Sequence, residues 1–418
     1  MPATQQVHPS ARAGAVGFLL AGLLMGVIGS LTVAWRYELD KDPRAVGLHF
    51  LAFNASVLLF GVVAQALLRK LSMKAVCFAS CVIAALGFVE LTAAAPPAHT
   101  AWRIIGVAIV GCAAGGLLTS LLHFIRPYYE EDAASVINFC SLMFGMGCLL
   151  VTIAVASIYP FLQVRWQTLG LAAIPLVLLP VVLRVVTRKA DRSKPDKSAR
   201  RSGSLRDLRS PAVVLFSLLL FFQFGNEWAL ATWLPLFLIH RLGVSPESAI
   251  FALALYFFAL IAGRLLTQVL LRHMSHAKLL FVSTFAAMLG YLLLSFTGSA
   301  IGAGLATVVT GFAFAPIYAL VAENIGHRFD YEPGFFNGIF SLAVTGGMLM
   351  PWVLGFAGYY VGMQYVLIIP AFGTVAVLLL VLLIMLEAKL MRAGSEPALV
   401  GGAPAKPKAA TTSAGRPN

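Results

Sequence analysis

Charge is scarce in this sequence. Only 11% of its 418 residues are Asp, Glu, Lys or Arg, with 17 acids against 30 bases. A soluble domain carries about 25%. With 60% hydrophobic residues and a mean hydropathy of +0.88, the chain has too little polar surface for a water-soluble fold. The five cysteines (Cys77, Cys81, Cys112, Cys140 and Cys148) all fall within apolar stretches. That excludes an extracellular disulfide framework and predicts small packing residues. His, Cys and acidic residues never gather at ligand spacing, so no metal site is expected. The absence of a glycine-rich phosphate loop argues against ATP drive. No nucleophile–base pair is visible, so neither an enzyme nor a cofactor is expected.

What is present is a series of long apolar runs. About twelve reach the roughly 20 residues that a bilayer crossing requires. They fall near 13–35, 47–68, 75–93, 101–123, 134–158, 164–187, 211–239, 247–271, 277–297, 299–322, 335–358 and 362–387. They are too uniformly apolar for the alternating strands of a membrane barrel. The first follows Arg12 but lacks a small-residue cleavage site, so it is expected to be retained as a helix. The expected fold is therefore all-α and integral to the membrane.

One pattern occurs twice. Gln65-Ala-Leu67-Leu68-Arg69-Lys-Leu-Ser72 reappears as Gln268-Val-Leu270-Leu271-Arg272-His-Met-Ser275, and Phe78, Ser80, Ala84, Leu86 and Gly87 answer to Phe281, Ser283, Ala287, Leu289 and Gly290. Every pair is 203 residues apart, and ten of the 23 positions from 65 to 87 are identical. Shared Gln, Arg and Ser at a constant offset are not a product of apolar composition. They imply two parallel six-helix repeats, an arrangement in which a solute site lies between the repeats near the bilayer midplane.

Position explains the net charge of +13. The bases concentrate between about 184 and 210, at Arg69, Lys70 and Lys74, at Arg272 and Lys278, and in the tail at Lys389, Arg392, Lys406 and Lys408. In a twelve-span topology all these segments share one side. The positive-inside rule then makes both termini cytoplasmic and removes the case for a nucleic-acid partner. Trp35, Trp102, Trp166 and Trp352 fall near the opposite ends of their helices, where half-wet indoles are expected. The organisation read from the sequence is a cytoplasmic N-terminus (1–12), a six-helix bundle (13–188), a basic linker (189–210), a second bundle (211–392) and a tail too poor in apolar residues to fold (393–418). The expected setting is a bacterial inner membrane, with a monomer in the lipid bilayer.

Six plus six helices, a long basic central loop and a repeated basic turn after helices 2 and 8 together resemble the major facilitator superfamily. Several stretches are similar to its fucose–galactose–glucose:proton symporter branch: Phe222-Gln-Phe-Gly225-Asn-Glu227 with Trp233-Leu234-Pro235, Tyr256 with Gly263-Arg264, and Ala133-Ala134-Ser-Val-Ile-Asn138 with Gly145-x-Gly147. The resemblance implies a secondary transporter of a small polar solute, sugar or polyol by preference, with proton coupling left open beside uniport. Departures accompany it. The loop after helix 2 lacks the acidic partner of the superfamily's Gly-x-x-x-Asp-Arg signature. Helix 4 has Thr119 and His123 where the branch has an acid or amide followed by Asn. The Gly-Pro-x-x-Gly signature of drug antiporters is missing from helix 5. Efflux of an amphipathic compound, or a non-transporting receptor or sensor on the same fold, remain the alternatives.

Polar groups inside the apolar runs carry the chemistry. Glu227 sits mid-span, where a charged side chain costs at least about 2.5–3.5 kcal/mol unless it is paired or faces a cavity. Burial disfavours the charged form of a carboxyl, so Glu227 is the candidate proton carrier. The alternative is a permanently neutral Glu227 bonded to a neighbouring helix. Gln223 lies one turn away on the same face, while Asn226 and Trp233 form an adjacent stripe. With Thr119 and Tyr256 they are expected to line a solute cavity. Arg264, also within a span, is expected to act in conformational change by snorkelling or capping helix ends, as are the paired Arg69 and Arg272 and the matching Asn138 and Asn337. The mixed charges His123, Arg126, Glu130 and Glu131 after helix 4 have counterparts in Glu323, His327, Arg328 and Glu332 after helix 10.

Overall fold

The computed structural model describes residues 14–37, 42–125, 129–187, 211–328 and 333–395. Among them are twelve helices long and apolar enough to cross a membrane. They are α1 Ala15–Ala34, α2 Pro43–Leu67, α3 Met73–Ala93, α4 Thr100–Ile125, α5 Tyr129–Ile158, α6 Val164–Thr187, α7 Pro211–Leu242, α8 Pro246–Leu270, α9 His276–Phe296, α10 Ala300–Arg328, α11 Pro333–Tyr360 and α12 Ile368–Ser395, the last preceded by a 3-10 turn at Met363–Tyr365. In lipid a backbone can satisfy its own hydrogen bonds only within helices or closed barrels. Three helices outrun their apolar stretches: α5 begins at Tyr129, α10 reaches Arg328 and α12 reaches Ser395. Apolarity marks the lipid-embedded length, whereas hydrogen bonding carries the helix on into polar sequence.

The sequence repeat is also a structural repeat. Ser72 and Ser275 are the N-caps of α3 and α9, with φ/ψ of −68°/147° and −69°/150°, and each hydroxyl accepts from the backbone N–H three residues on. The preceding C-caps, Leu68 and Leu271, match as closely (−63°/−16° and −62°/−16°). A serine cap satisfies one of the donors orphaned at a helix start. The shared serine is therefore what holds both turns in one shape. Arg69 and Arg272 are exposed on these turns.

Helix pairing follows the same offset. In the first six helices α1 packs on α5, α2 on α4, and α3 on α4 and α6. In the last six α7 packs on α11, α8 on α10, and α9 on α10 and α12. Gly22 and Gly225, again 203 residues apart, mark the α1–α5 and α7–α11 crossings. A methyl on Gly22 would overlap the carbonyl of Phe144, and a Cβ on Gly225 would sit 3.3 Å from the Gly346 carbonyl oxygen, a tight contact. Small residues let the backbones approach where no hydrophobic force drives helices together in lipid.

Between the two sets of six, α2 lies against α11 and α5 against α8. At the end where α2 begins and α11 finishes, this seam is tight. A Cβ on Gly47 would come within 3.0 Å of the Trp352 carbonyl oxygen and one on Gly355 within 2.9 Å of the Pro43 carbonyl oxygen. The Arg44 guanidinium stacks 3.7 Å from the centroid of the Tyr359 ring. Toward the basic-turn end, Leu59, Val62 and Val63 of α2 are exposed.

Four of the cysteines are buried and Cys112 is half-buried, all as free thiols. The tryptophans divide. Trp102 and Trp166 are exposed, but Trp35 is buried against Tyr37 and His49. Tyr37 and His49 cover it, so Trp35 is not a half-wet belt residue. The linker 189–210, the N-terminal 1–12 and most of the tail 393–418 lie outside the described residues. So do the side chains of Asn138, Asn337, Arg126, Glu130, Glu131, His327, Arg328 and Glu332.

Candidate functional site

Glu227 occupies the middle of α7, sixteen residues after Pro211 and fifteen before Leu242. Around it is a small cavity of about 30 Å³ on the seam between the two sets of six helices. α5 supplies Phe144, Gly145 and Cys148. α7 supplies Glu227, Trp228 and Ala231. α8 supplies Tyr256, Phe257, Leu260 and Arg264. That volume holds about one or two waters and no sugar-sized solute. Among the described residues, Glu227 is the sole carboxylate and Arg264 the sole guanidinium lining the cavity.

Helical geometry decides which candidates meet there. At about 100° per residue, Trp228 and Ala231 fall within a quarter turn or so of Glu227 on one side. Asn226 and Trp233 fall together on the other. The sequence stripe of Asn226 and Trp233 is therefore real but turned away from the cavity. Asn226 is fully buried against Gly373 of α12. The backbone carbonyl of Asn226 accepts the hydroxyl of Tyr291 on α9 at 2.5 Å. Its amide atoms have no hydrogen-bond partner among the described residues. Trp233 is also fully buried: its indole N–H donates to the Pro351 carbonyl of α11 at 2.8 Å, and its ring meets Phe50 of α2 edge-on at 5.5 Å. Far from offering a free face to a solute, Trp233 mortars α7, α11 and α2 together.

Gln223 lies beside the Glu227 carboxyl, fully buried and off the cavity lining. Thr119 is half-buried on α4, facing Gly61 of α2, and lies outside the lining as well. Of the expected solute-lining set, the structure brings Tyr256 to Glu227: its hydroxyl donates to the Glu227 backbone carbonyl at 3.2 Å. Arg264 neither snorkels nor caps a helix end. Its Nη1 donates across the seam to the Ser141 carbonyl of α5 at 2.7 Å.

Trp228 and Cys148 are among the lining residues that sequence reasoning did not single out as site candidates. Trp228 adjoins Glu227 in sequence, but on a helical wheel it lies about 100° to one side of the carboxylate and Trp233 about 120° to the other, so the wheel does not choose between them. The Cys148 thiol donates to the Gly22 carbonyl at 3.1 Å, so only its packing environment announces it. Among the described residues of the mixed-charge segments, Glu323 pairs with His276 at 3.4 Å, joining the end of α10 to the start of α9. No cluster of His, Cys, Asp or Glu among the described residues has metal-binding geometry.

Comparison with known proteins agrees with this architecture. The Major Facilitator Superfamily profile matches residues 14–348. Two proteins from Helicobacter pylori strains, each described as a putative glucose/galactose transporter, are 26% identical over 197 residues, 46% of this chain and 46% of theirs. The alignment thus spans about half the length of these curated relatives. A variant of the nucleoside transporter NupG superposes with a TM-score of 0.70 at 14% identity, covering 90% of this chain and 99% of that one. A variant of the E. coli fucose:proton symporter FucP gives 0.59 at 18% identity, covering 90% and 98%. A bacterial homologue of the lysosomal transporter Spinster gives 0.65 at 15% identity, covering 91% and 95%. With twelve membrane-length helices, a duplicated six-helix plan and a family match across most of its length, the chain is a multi-pass integral membrane protein and belongs to the Major Facilitator Superfamily.

Proposed function

We propose that the protein is a secondary transporter that moves a small polyhydroxylated solute, a sugar or polyol, by rocking its two six-helix halves about the seam, with Glu227 carrying a coupled proton. The observation that carries this reading is the Glu227–Arg264 cavity, at mid-span and between the halves. A membrane-embedded carboxylate beside a cation, in a space opened or closed by moving α5 against α8, has the chemistry for proton exchange during alternating access.

The substrate class rests on the cavity walls and on the relatives. Phe144, Trp228, Tyr256 and Phe257 give aromatic faces on which the C–H face of a sugar can stack, and Glu227 and Arg264 offer bonds to hydroxyls. The names of the relatives include glucose/galactose, fucose:proton and nucleoside transport. In this reading the structure is a closed state. The cavity is too small for the solute, the Gly47–Gly355 end is sealed, and Gln223 reaches solute only when the halves part. The exposed bases of the repeated turns support a cytoplasmic location for that end, and for both termini, in a bacterial inner membrane. Arg69, Arg272, Asn138 and Asn337 would act in gating there, in a monomer.

The test is uptake into proteoliposomes from a panel of hexoses, pentoses, polyols, nucleosides and amphipathic compounds, with and without an imposed pH gradient. Wild type should accumulate one of the polyhydroxylated solutes when the gradient is present. Glu227→Gln should lose accumulation yet keep equilibrative exchange, because the amide still hydrogen-bonds but does not titrate. Undiminished gradient-driven accumulation in Glu227→Gln would remove the proton role. Transport of the amphipathic compounds alone would remove the sugar reading.

A further inference from the structure

Arg264 stands between two acceptors that belong to different halves of the protein. One is the Ser141 carbonyl of α5, which it holds at 2.7 Å. The other is the Glu227 carboxyl of α7, which lines the same cavity and interacts electrostatically with the guanidinium. Gly145, one turn beyond Ser141, makes room for this crossing: its Cβ position is 3.5 Å from Arg264 Nη1. A residue with a larger side chain there would crowd the guanidinium.

The repeat sharpens the point. At the 203-residue offset, Glu227 corresponds to Leu24, Arg264 to Gly61, and Tyr256 to Phe53. The first half carries none of this polar set, and contributes a backbone carbonyl instead. The polar equipment of the seam is therefore one-sided. It sits on α7 and α8 and reaches over to hold α5.

We propose that Arg264 is a proton-controlled latch: with Glu227 protonated it binds the Ser141 carbonyl and ties α8 to α5, and when Glu227 loses its proton the guanidinium turns to the carboxylate and lets α5 go. The inference rests on Glu227 as the proton carrier and adds the element that converts its protonation into movement. A neutral carboxyl competes weakly with a backbone carbonyl for a guanidinium. A carboxylate competes strongly, because deprotonation adds the attraction of opposite charges and a bidentate acceptor to a bond that the guanidinium makes charge-assisted in either case. The bond made or broken covalently is the carboxyl O–H alone, and its proton passes to or from water.

Among the described residues, the other titratable groups around Glu227 are Tyr256 of α8, Cys148 of α5 and Tyr291 of α9. Tyr318 of α10 packs on Phe224, one turn away. The described α1 and the mid-span parts of α11 and α12 have no Asp, Glu, His, Lys or Arg. The two tyrosine hydroxyls are committed to the carbonyls of Glu227 and Asn226, and the Cys148 thiol to that of Gly22. Among the described residues Arg264 is the one cation positioned to answer the carboxylate.

The latch can be read as a distance. Gln65 and Gln268 are exposed at the basic-turn ends of α2 and α8, one in each half. Spin-labelled non-natural residues at these two positions leave the native cysteines in place, and pulsed electron resonance in lipid nanodiscs gives the separation. In wild type the short-distance population should dominate in acidic buffer and give way to a longer one in alkaline buffer. Glu227→Gln should remain short at every pH. Arg264→Met should remain long at every pH. Arg264→Lys, which keeps the charge but not the planar fork, should fold and respond with reduced amplitude. A short, pH-responsive distance in Arg264→Met overturns the latch. If Glu227→Gln has lost gradient-driven accumulation in that case, the proton-carrier reading still stands. A pH response that survives in Glu227→Gln, together with intact accumulation, overturns both.

Discussion

Tyr291 and Phe88 hold the same place in the two repeats, 203 residues apart and both fully buried, and they differ by the hydroxyl that Tyr291 donates to the Asn226 carbonyl. Tyr256 and Phe53 repeat the relationship, with Glu227 as the acceptor. Two consecutive carbonyls of α7 are thereby tied to α9 and α8. Four residues past Ala231, Pro235 lacks the N–H that would bond the Ala231 carbonyl. The segment of α7 bearing Glu227 is thus held from outside by hydroxyls while its own ladder is thinned.

Tyr291→Phe and Tyr256→Phe should each fold, since phenylalanine already fills the equivalent sites. Each should lose about 0.5–1.5 kcal/mol of stability, the net worth of one hydrogen bond. Thermal unfolding in detergent would show this as a lowered midpoint. The double variant should lose about the sum, and a midpoint equal to wild type would mean that these bonds do not form in the membrane.

Trp233 predicts a graded loss that distinguishes packing from solute contact. Trp233→Phe keeps a ring against Phe50 but gives up the bond to Pro351, whereas Trp233→Ala also opens a cavity at the α2–α7–α11 junction. The alanine variant should be destabilised by about 3–5 kcal/mol, the phenylalanine variant by much less. Solute affinity measured on folded Trp233→Phe should stay near that of wild type, while Trp228→Ala should weaken it several-fold. A Trp233→Phe variant with normal stability and lost affinity would return Trp233 to the solute site.

Asp42 gives a pH signature at the sealed end. It caps α2 by accepting from the Arg44 backbone N–H, and its carboxylate takes the Arg44 guanidinium through bonds of 3.0 and 3.2 Å. That side-chain bond holds the Asp42 carboxyl below its ordinary pKa. A depressed folded-state pKa adds stability above the unfolded value, near pH 4, and the gain is lost as pH falls through the folded value. The pair is largely exposed, so the effect is small. Asp42→Asn should keep the cap and flatten the acid arm of a midpoint-versus-pH curve, while Asp42→Ala should cost about 0.5–2 kcal/mol at neutral pH. An unchanged acid arm in Asp42→Asn would mean that the pair contributes nothing.

The sequence alone determined the twelve helices, their order and the duplication. Those follow from local and repeated properties: apolar length against bilayer thickness, and Ser72 and Ser275 closing the same turn by the same cap. It also singled out Glu227, Arg264 and Tyr256, because an ionisable or hydroxylated group in an apolar run must find a partner. What it could not determine is the rotation of α7. Asn226, Trp233 and Glu227 are all within two turns, and in a helix apolar on every side no hydrophobic stripe says which flank faces the seam. Only tertiary packing decided that: Gly373 and Tyr291 claim Asn226, Pro351 and Phe50 claim Trp233, and the space left over, between α5 and α8, belongs to Glu227, Trp228 and Arg264.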